Sequence, residues 1–103
     1  MRYIYHPDAL TEYADVALYY EERLPGLGAD FTGEVDVAIE RILEAPDRWN
    51  LDEEDVRRYL LRRFPYGILY TIEEDYVLLV AVMHLSREPG YWRHRISQRP
   101  DAG

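Results

Sequence analysis

The stretch "RRYLLRRFPYG", Arg57 to Gly67, sets four arginines within seven residues of a chain whose formal net charge is -8. A guanidinium is a planar fork that donates two parallel hydrogen bonds, which suits carboxylates and phosphates. Three uses of the cluster are open: gripping nucleic acid, holding an acidic partner, or facing water along a strand. Other chemistry is thinner. His6, His84 and His94 are the only imidazoles, and no HxxxH or HExxH spacing occurs among them. His84 closes an apolar run and reads as a hydrogen-bonded structural residue. Ser86 follows His84 by two positions, but no nucleophile elbow precedes it. The chain has no cysteine, which excludes thiolate nucleophiles, disulfides and cysteine-based zinc sites. No glycine-rich phosphate loop is present. Neither a metal nor a cofactor is expected.

These residues must be positioned by the elements around them. "RYIY" (Arg2 to Tyr5) is short, aromatic and β-branched, and reads as a strand. A helix then starts at Pro7 with Asp8 in its first turn, and Leu10, Tyr13, Ala17, Tyr20 and Leu24 form its apolar stripe. "PGLG" (Pro25 to Gly28) breaks it. A second helix, Leu27 to Ala45, sets Leu27, Phe31, Val35, Ala38 and Ile42 on one face and ends at Pro46. So short a break between amphipathic helices makes an antiparallel hairpin. "DRWNLDEEDV" (Asp47 to Val56) is an acidic loop. Three strands follow: "RRYLLRRF", "GILYTI" after a "PY" turn, and "YVLLVAVMHL", whose continuous apolar run predicts burial on both faces. Paired carboxylates on the helices fall on the solvent side of each stripe. The expected fold is α+β: a strand, a helical hairpin, then a three-stranded antiparallel meander, with a short basic tail whose last residues, 97–103, are mobile.

In a strand, residues two apart share a face, so Arg58, Leu60, Arg62 and Phe64 point one way and Arg57, Tyr59, Leu61 and Arg63 the other. Tyr59 and Leu61 suit the side under the helices. That assigns Arg58 and Arg62 to the open face of the sheet, with Arg87, Arg93 and Arg95 extending the same basic surface.

The chain has 103 residues, 48% of them hydrophobic and 14% aromatic, enough to bury the core of one domain and too apolar to be disordered. Residues 1–56 carry 15 acids and 4 arginines (-11); residues 57–103 carry 5 acids and 8 arginines (+3). This division predicts one acidic and one basic face. The opening "MRYIYHPD" shows no charged leader before an apolar stretch, and the longest apolar run, Val77 to Met83, is seven residues, far below the ~20 of a membrane span. A cytoplasmic protein without membrane contact is expected.

"HPDALTEYADVALYYEERLPGLGADF", "AIERILEAPDRW", "VRRYLLRRFPYGILYTIEED" and "VAVMHLSREPGYWRHR" together resemble the RelE/ParE toxin superfamily of bacterial type II toxin–antitoxin systems. The resemblance spans about Tyr3 to Arg95, and "RRYLLRRFPYGILY" with "HLSREPGYW" places it in the ParE-like branch. It implies a small toxin held inactive by an antitoxin whose C-terminal segment wraps over it. RelE-like members cut messenger RNA in the ribosome; ParE-like members inhibit DNA gyrase by binding. The nuclease mechanism needs several basic groups and a base-stacking aromatic. Arg58 and Tyr91 match that set, whereas Leu60, Gly67 and Leu85 stand where the nucleases carry basic residues. His84 and Arg87 are the available substitutes. The resemblance therefore implies a plasmid-stabilisation type of toxin inhibiting gyrase through protein contacts, with Arg58, Arg62, Arg87, Tyr91, Trp92 and Arg93 as antitoxin- or target-binding residues. The alternatives are a ribosome-dependent endoribonuclease and a non-toxic, antitoxin-binding autoregulator. Direct binding of duplex DNA is not expected.

Overall fold

The computed structural model describes residues 1–97 and Arg99. Its elements follow the order β1 (Arg2–Tyr5), α1 (Pro7–Arg23), α2 (Leu27–Glu44), β2 (Leu51–Glu53), β3 (Val56–Leu60), β4 (Tyr66–Ile72), β5 (Tyr76–His84) and α3 (Arg93–Ile96). One five-stranded sheet runs β1-β5-β4-β3-β2, with β1 parallel to β5 and the other pairs antiparallel. The expected α+β layout holds, with the meander at its centre. The acidic loop is not wholly irregular: Leu51–Glu53 adds an edge strand, and Glu54, at φ 51°, turns the chain back into β3.

Local chemistry sets the helix ends. The His6 ring nitrogen Nδ1 accepts the Asp8 amide at 3.1 Å and caps α1, with proline at the first position. Gly26, at φ 92°, makes the turn, and the Glu21 carboxylate accepts the amides of Gly26 and Gly28 at the start of α2. A Cβ on Gly28 would sit 2.7 Å from the Ala17 carbonyl oxygen, so glycine is what lets the two helices close on each other. The α2 stripe is as expected, with Phe31, Val35, Ala38 and Ile42 buried. The α1 stripe is not. Leu10 and Leu24 are exposed, and the arc facing inward is Ala9, Tyr13, Val16, Ala17 and Tyr20. Because α1 touches α2 and β5 at once, Leu10 falls outside that arc. Leu24 lies past the last turn in extended backbone.

Two apolar layers flank the sheet. Under the helices lie Phe31, Val35, Ile42, Tyr59, Phe64, Ile68, Tyr70 and Leu79. On the other face Val56, Leu69, Leu78, Val80 and Met83 pack with Trp92. Residues Tyr76 to Met83 are buried throughout, as the apolar run predicted. The face expected to be open is thus partly covered by the segment carrying Trp92 and Ile96. The expected tail, 97–103, lies mostly outside the described residues; within it Arg99 reaches Asp55 at 3.1 Å and Glu73 at 3.5 Å.

β1 stops opposite Leu79, so among the described residues the rest of β5 has no strand neighbour on that side. An exposed edge of this kind is a template for unwanted pairing. Here side chains close it. Glu12 of α1 accepts the Val82 amide at 3.0 Å, and Arg95 of α3 donates to the Val80 carbonyl at 3.0 Å. Arg95 also forks onto both oxygens of Glu12, at 2.8 and 2.9 Å. The register shift between Leu69 and Tyr70 leaves Val80 as the extra residue on β5 and turns both Val80 and Ala81 toward the Trp92 layer.

Candidate functional site

The arginine cluster divides three ways. Arg58 lies on the Trp92 side of the sheet; its stem runs 3.4 Å from where a Gly67 Cβ would stand, and its head is 3.7 Å from Asp52. Arg57 points to the helix side and donates to the carbonyls of Trp49 (2.6 Å) and Asp47 (3.2 Å). Arg62 and Arg63 are not in the strand. β3 ends at Leu60, because the Glu34 carboxylate of α2 accepts the backbone amides of both Arg62 and Arg63 and draws the chain off the sheet. Phe64 then turns into the helix-side core, 5.3 Å from Phe31 ring to ring. The expected sharing of a face by Arg58 and Arg62 is therefore wrong. Strand alternation does not apply once the backbone hydrogen bonds leave the ladder.

What this departure creates is a groove of about 460 Å³ between α2 and the end of β3. Its wall is apolar at Val37, Gly33 and Tyr59 and carries Arg41, Arg62 and Arg63. Arg63 pairs with Asp30 at 3.4 Å. The side chains of Arg41 and Arg62 have no hydrogen bond or ion pair among the described residues, which leaves two forks free at an apolar cleft. Arg41 drew no attention in the sequence. The readable signal was its place on one α2 ridge with Glu34 and Val37, at three- and four-residue spacing.

The C-terminal residues are mostly tied down. Trp92 is a core side chain, 2% exposed, and its indole nitrogen has no partner among the described residues. Arg93 is paired with Glu53 at 2.5 Å, which raises its pKa. Arg95, expected on the basic surface, is buried. Burial works against its charge, but the Glu12 hydrogen bonds and carboxylate outweigh it and the pKa rises. The Tyr91 hydroxyl donates to Glu12 at 2.7 Å, and burial followed by that contact raises its pKa well above the ordinary tyrosine value. The Arg87 guanidinium stacks 3.9 Å from the centroid of the same ring. Tyr91 thus already has a guanidinium on its ring and an acceptor on its hydroxyl. The His84 ring accepts the Ser86 amide at Nδ1, 3.0 Å away, which fits the structural role expected of it.

The two oppositely charged halves do not form separate faces. Arg58–Asp52, Arg63–Asp30, Arg93–Glu53 and Arg95–Glu12 each join a basic residue of the second half to an acid of the first. Sequence separation carried no information about spatial separation, since β2 and β3 are neighbours across the divide. Of the three positions set against nuclease basic groups, Leu60 and Gly67 lie in one cross-strand row with Met83, and Leu85 follows that row, half exposed. That row carries no titratable group. Among the described residues no cluster of three His, Asp or Glu side chains could hold a metal ion, and no helix is long and apolar enough to cross a membrane.

The chain is a small α+β domain with a helical hairpin on one sheet face and an arginine-lined groove beside it. Residues 3–89 match the family described as ParE toxin of type II toxin-antitoxin system, parDE, and the chain belongs to that family. No curated protein sequence matches it. Among solved structures, a chain of the chromosomal ParDE TA system from P. aeruginosa superposes with a TM-score of 0.72 at 10% identity, covering 82% of this chain and 95% of that one. At that identity the likeness is one of fold.

Proposed function

We propose that this toxin-family protein is neutralised by an antitoxin whose C-terminal segment occupies the groove between α2 and β3, and that it acts by binding a protein target, DNA gyrase. The observation that carries the antitoxin reading is the pair of uncommitted guanidiniums, Arg41 and Arg62, over the apolar wall of Val37 and Tyr59. An amphipathic segment with acidic and apolar side chains satisfies both. The solved ParDE TA system of similar fold supports an antitoxin as the partner. Membership of the ParE family supports gyrase as the target, and the apolar row Leu60, Gly67 and Met83 supports action without RNA cleavage. Arg58 and Arg87, on the surface away from the groove, are the residues proposed to face the target.

The gene beside this one is expected to encode a short protein with a DNA-binding N-terminus. Arg41→Ala with Arg62→Ala should weaken binding of that protein at least tenfold, mainly through faster dissociation, because its acids lose their partners in a desolvated groove. Arg58→Ala should leave that affinity unchanged. Equal losses for both variants in calorimetry would mean that the segment lies elsewhere. Gyrase supercoiling assays, run beside ribosome-programmed mRNA cleavage, test the target; cleavage without gyrase inhibition would overturn it. At a net charge of -8 the isolated protein is also expected to show no measurable affinity for duplex DNA at physiological salt. Salt-sensitive micromolar binding in an anisotropy assay would contradict this.

A further inference from the structure

On the side of α1 that faces the ends of β4 and β5, a second cleft of about 500 Å³ opens, and it shares no lining residue with the α2 groove. Asp15, Tyr19 and Arg23 recur at four-residue spacing and so form one ridge of α1, with Val16 and Tyr20 on the next. Opposite them stand Tyr66 and His84, one cross-strand pair at the end of the sheet. The rings meet nearly at right angles in sequence: Tyr19–Tyr20 at 77°, Tyr20–Tyr66 at 76° and Tyr66–His84 at 82°. Successive perpendicular rings make walls, not a stack. Tyr20 and Tyr66 are half-buried, so these walls are partly withdrawn from water, and that burial raises the pKa of both.

The groups around the cleft are largely uncommitted. None of the hydroxyls of Tyr19, Tyr20 and Tyr66 makes a hydrogen bond among the described residues. Asp15 has no ion pair among them either, and Arg23 instead lies over the Tyr19 ring, 4.2 Å from its centroid. That contact shows a tyrosine of this wall already accepting a guanidinium. Asp15 also lines the smaller adjoining cavity with Tyr66 and His84, so its carboxylate sits where the two spaces join.

We propose that this cleft is a receptor for a basic side chain, arginine or lysine, of a protein partner, with Asp15 as the counter-ion and the faces of Tyr20 and Tyr66 as the cation–π walls. A partly desolvated ring face beside a carboxylate is the environment in which such contacts are strongest. The sign of the ligand follows from charge: the protein as a whole is at -8, Asp15 is unpaired, and the nearby cations Arg23 and Arg87 are each stacked on their own tyrosine. The site does not depend on the toxin reading above.

N-acetyl-arginine amide, titrated into the isotope-labelled protein, is the probe. Saturable shifts confined to Tyr20, Tyr66, His84 and Asp15 are expected, with N-acetyl-glutamate amide and inorganic phosphate producing none. Asp15→Asn, an exposed helical position whose folding the rest of the spectrum checks, should weaken the cation at least fivefold, while Arg41→Ala in the other groove should change nothing. The proposal is overturned by any of three results: no saturable shift with the arginine probe, shifts with glutamate or phosphate in its place, or an Asp15→Asn protein that binds as tightly as the parent.

Discussion

Replacing Arg95 by methionine is expected to remove about 3–5 kcal/mol of folding stability, the cost of leaving a buried carboxylate without its partner. Glu12 and Arg95 are both largely buried and joined by two hydrogen bonds, and each also holds one backbone group of the unpaired edge of β5. Glu12→Met should cost a similar amount, since it takes both fork acceptors from the buried guanidinium and leaves only the more distant Asp8 carboxylate, at 3.6 Å, as counter-charge. The informative measurement is the double variant. With both charges gone, the desolvation penalty disappears and what remains is the loss of partners for Val80 and Val82, on the order of 1–3 kcal/mol each. The double variant should therefore lose about as much as either single, giving a coupling of at least ~2 kcal/mol in urea melts. Additivity within ~0.5 kcal/mol would show that the two residues act independently and that the clamp does not exist as described.

Phe31→Ala is expected to cost about 3–5 kcal/mol through the cavity it leaves. Phe31 is fully buried, and its ring lies 5.3 to 6.4 Å from the rings of Phe64, Tyr66, Tyr20 and Tyr13. Four large rings around one site cannot collapse into the space without breaking their own edge contacts, which places the cost toward the upper end. In a domain of this size a loss of that order is a large share of the total, typically ~5–15 kcal/mol. The denaturation midpoint should fall by roughly 2 M urea. A midpoint within experimental error of the parent would mean that Phe31 is not the centre of the helix-side core.

Local pattern set out most elements of this protein, though not the edge strand β2 or the early end of β3. The three-to-four spacing of Phe31, Val35, Ala38 and Ile42 on α2, and the unbroken apolar run of β5, carry their own burial, because a side chain's direction follows from backbone period alone. Leu10 and Leu24 show where that logic ends. Both fit a helical stripe in number, but the inward arc of α1 depends on α2 and β5 together, and only the packed structure contains both. Glu12 is the sharper case. A lone acid among Ala9, Tyr13 and Val16 reads as a fault in an apolar arc until Arg95, 83 residues later, is brought against it. The arginine cluster failed for the same reason. Its residue types announced chemistry, yet the faces were decided by Glu34, which takes two backbone amides out of the strand and turns Arg62 toward α2. Composition fixed how many charges the protein carries and the residues alone pointed to the toxin superfamily. Which charges are already spent on one another, and which two guanidiniums are left over at a groove, are properties of contacts between distant segments, and those exist only once the chain has folded.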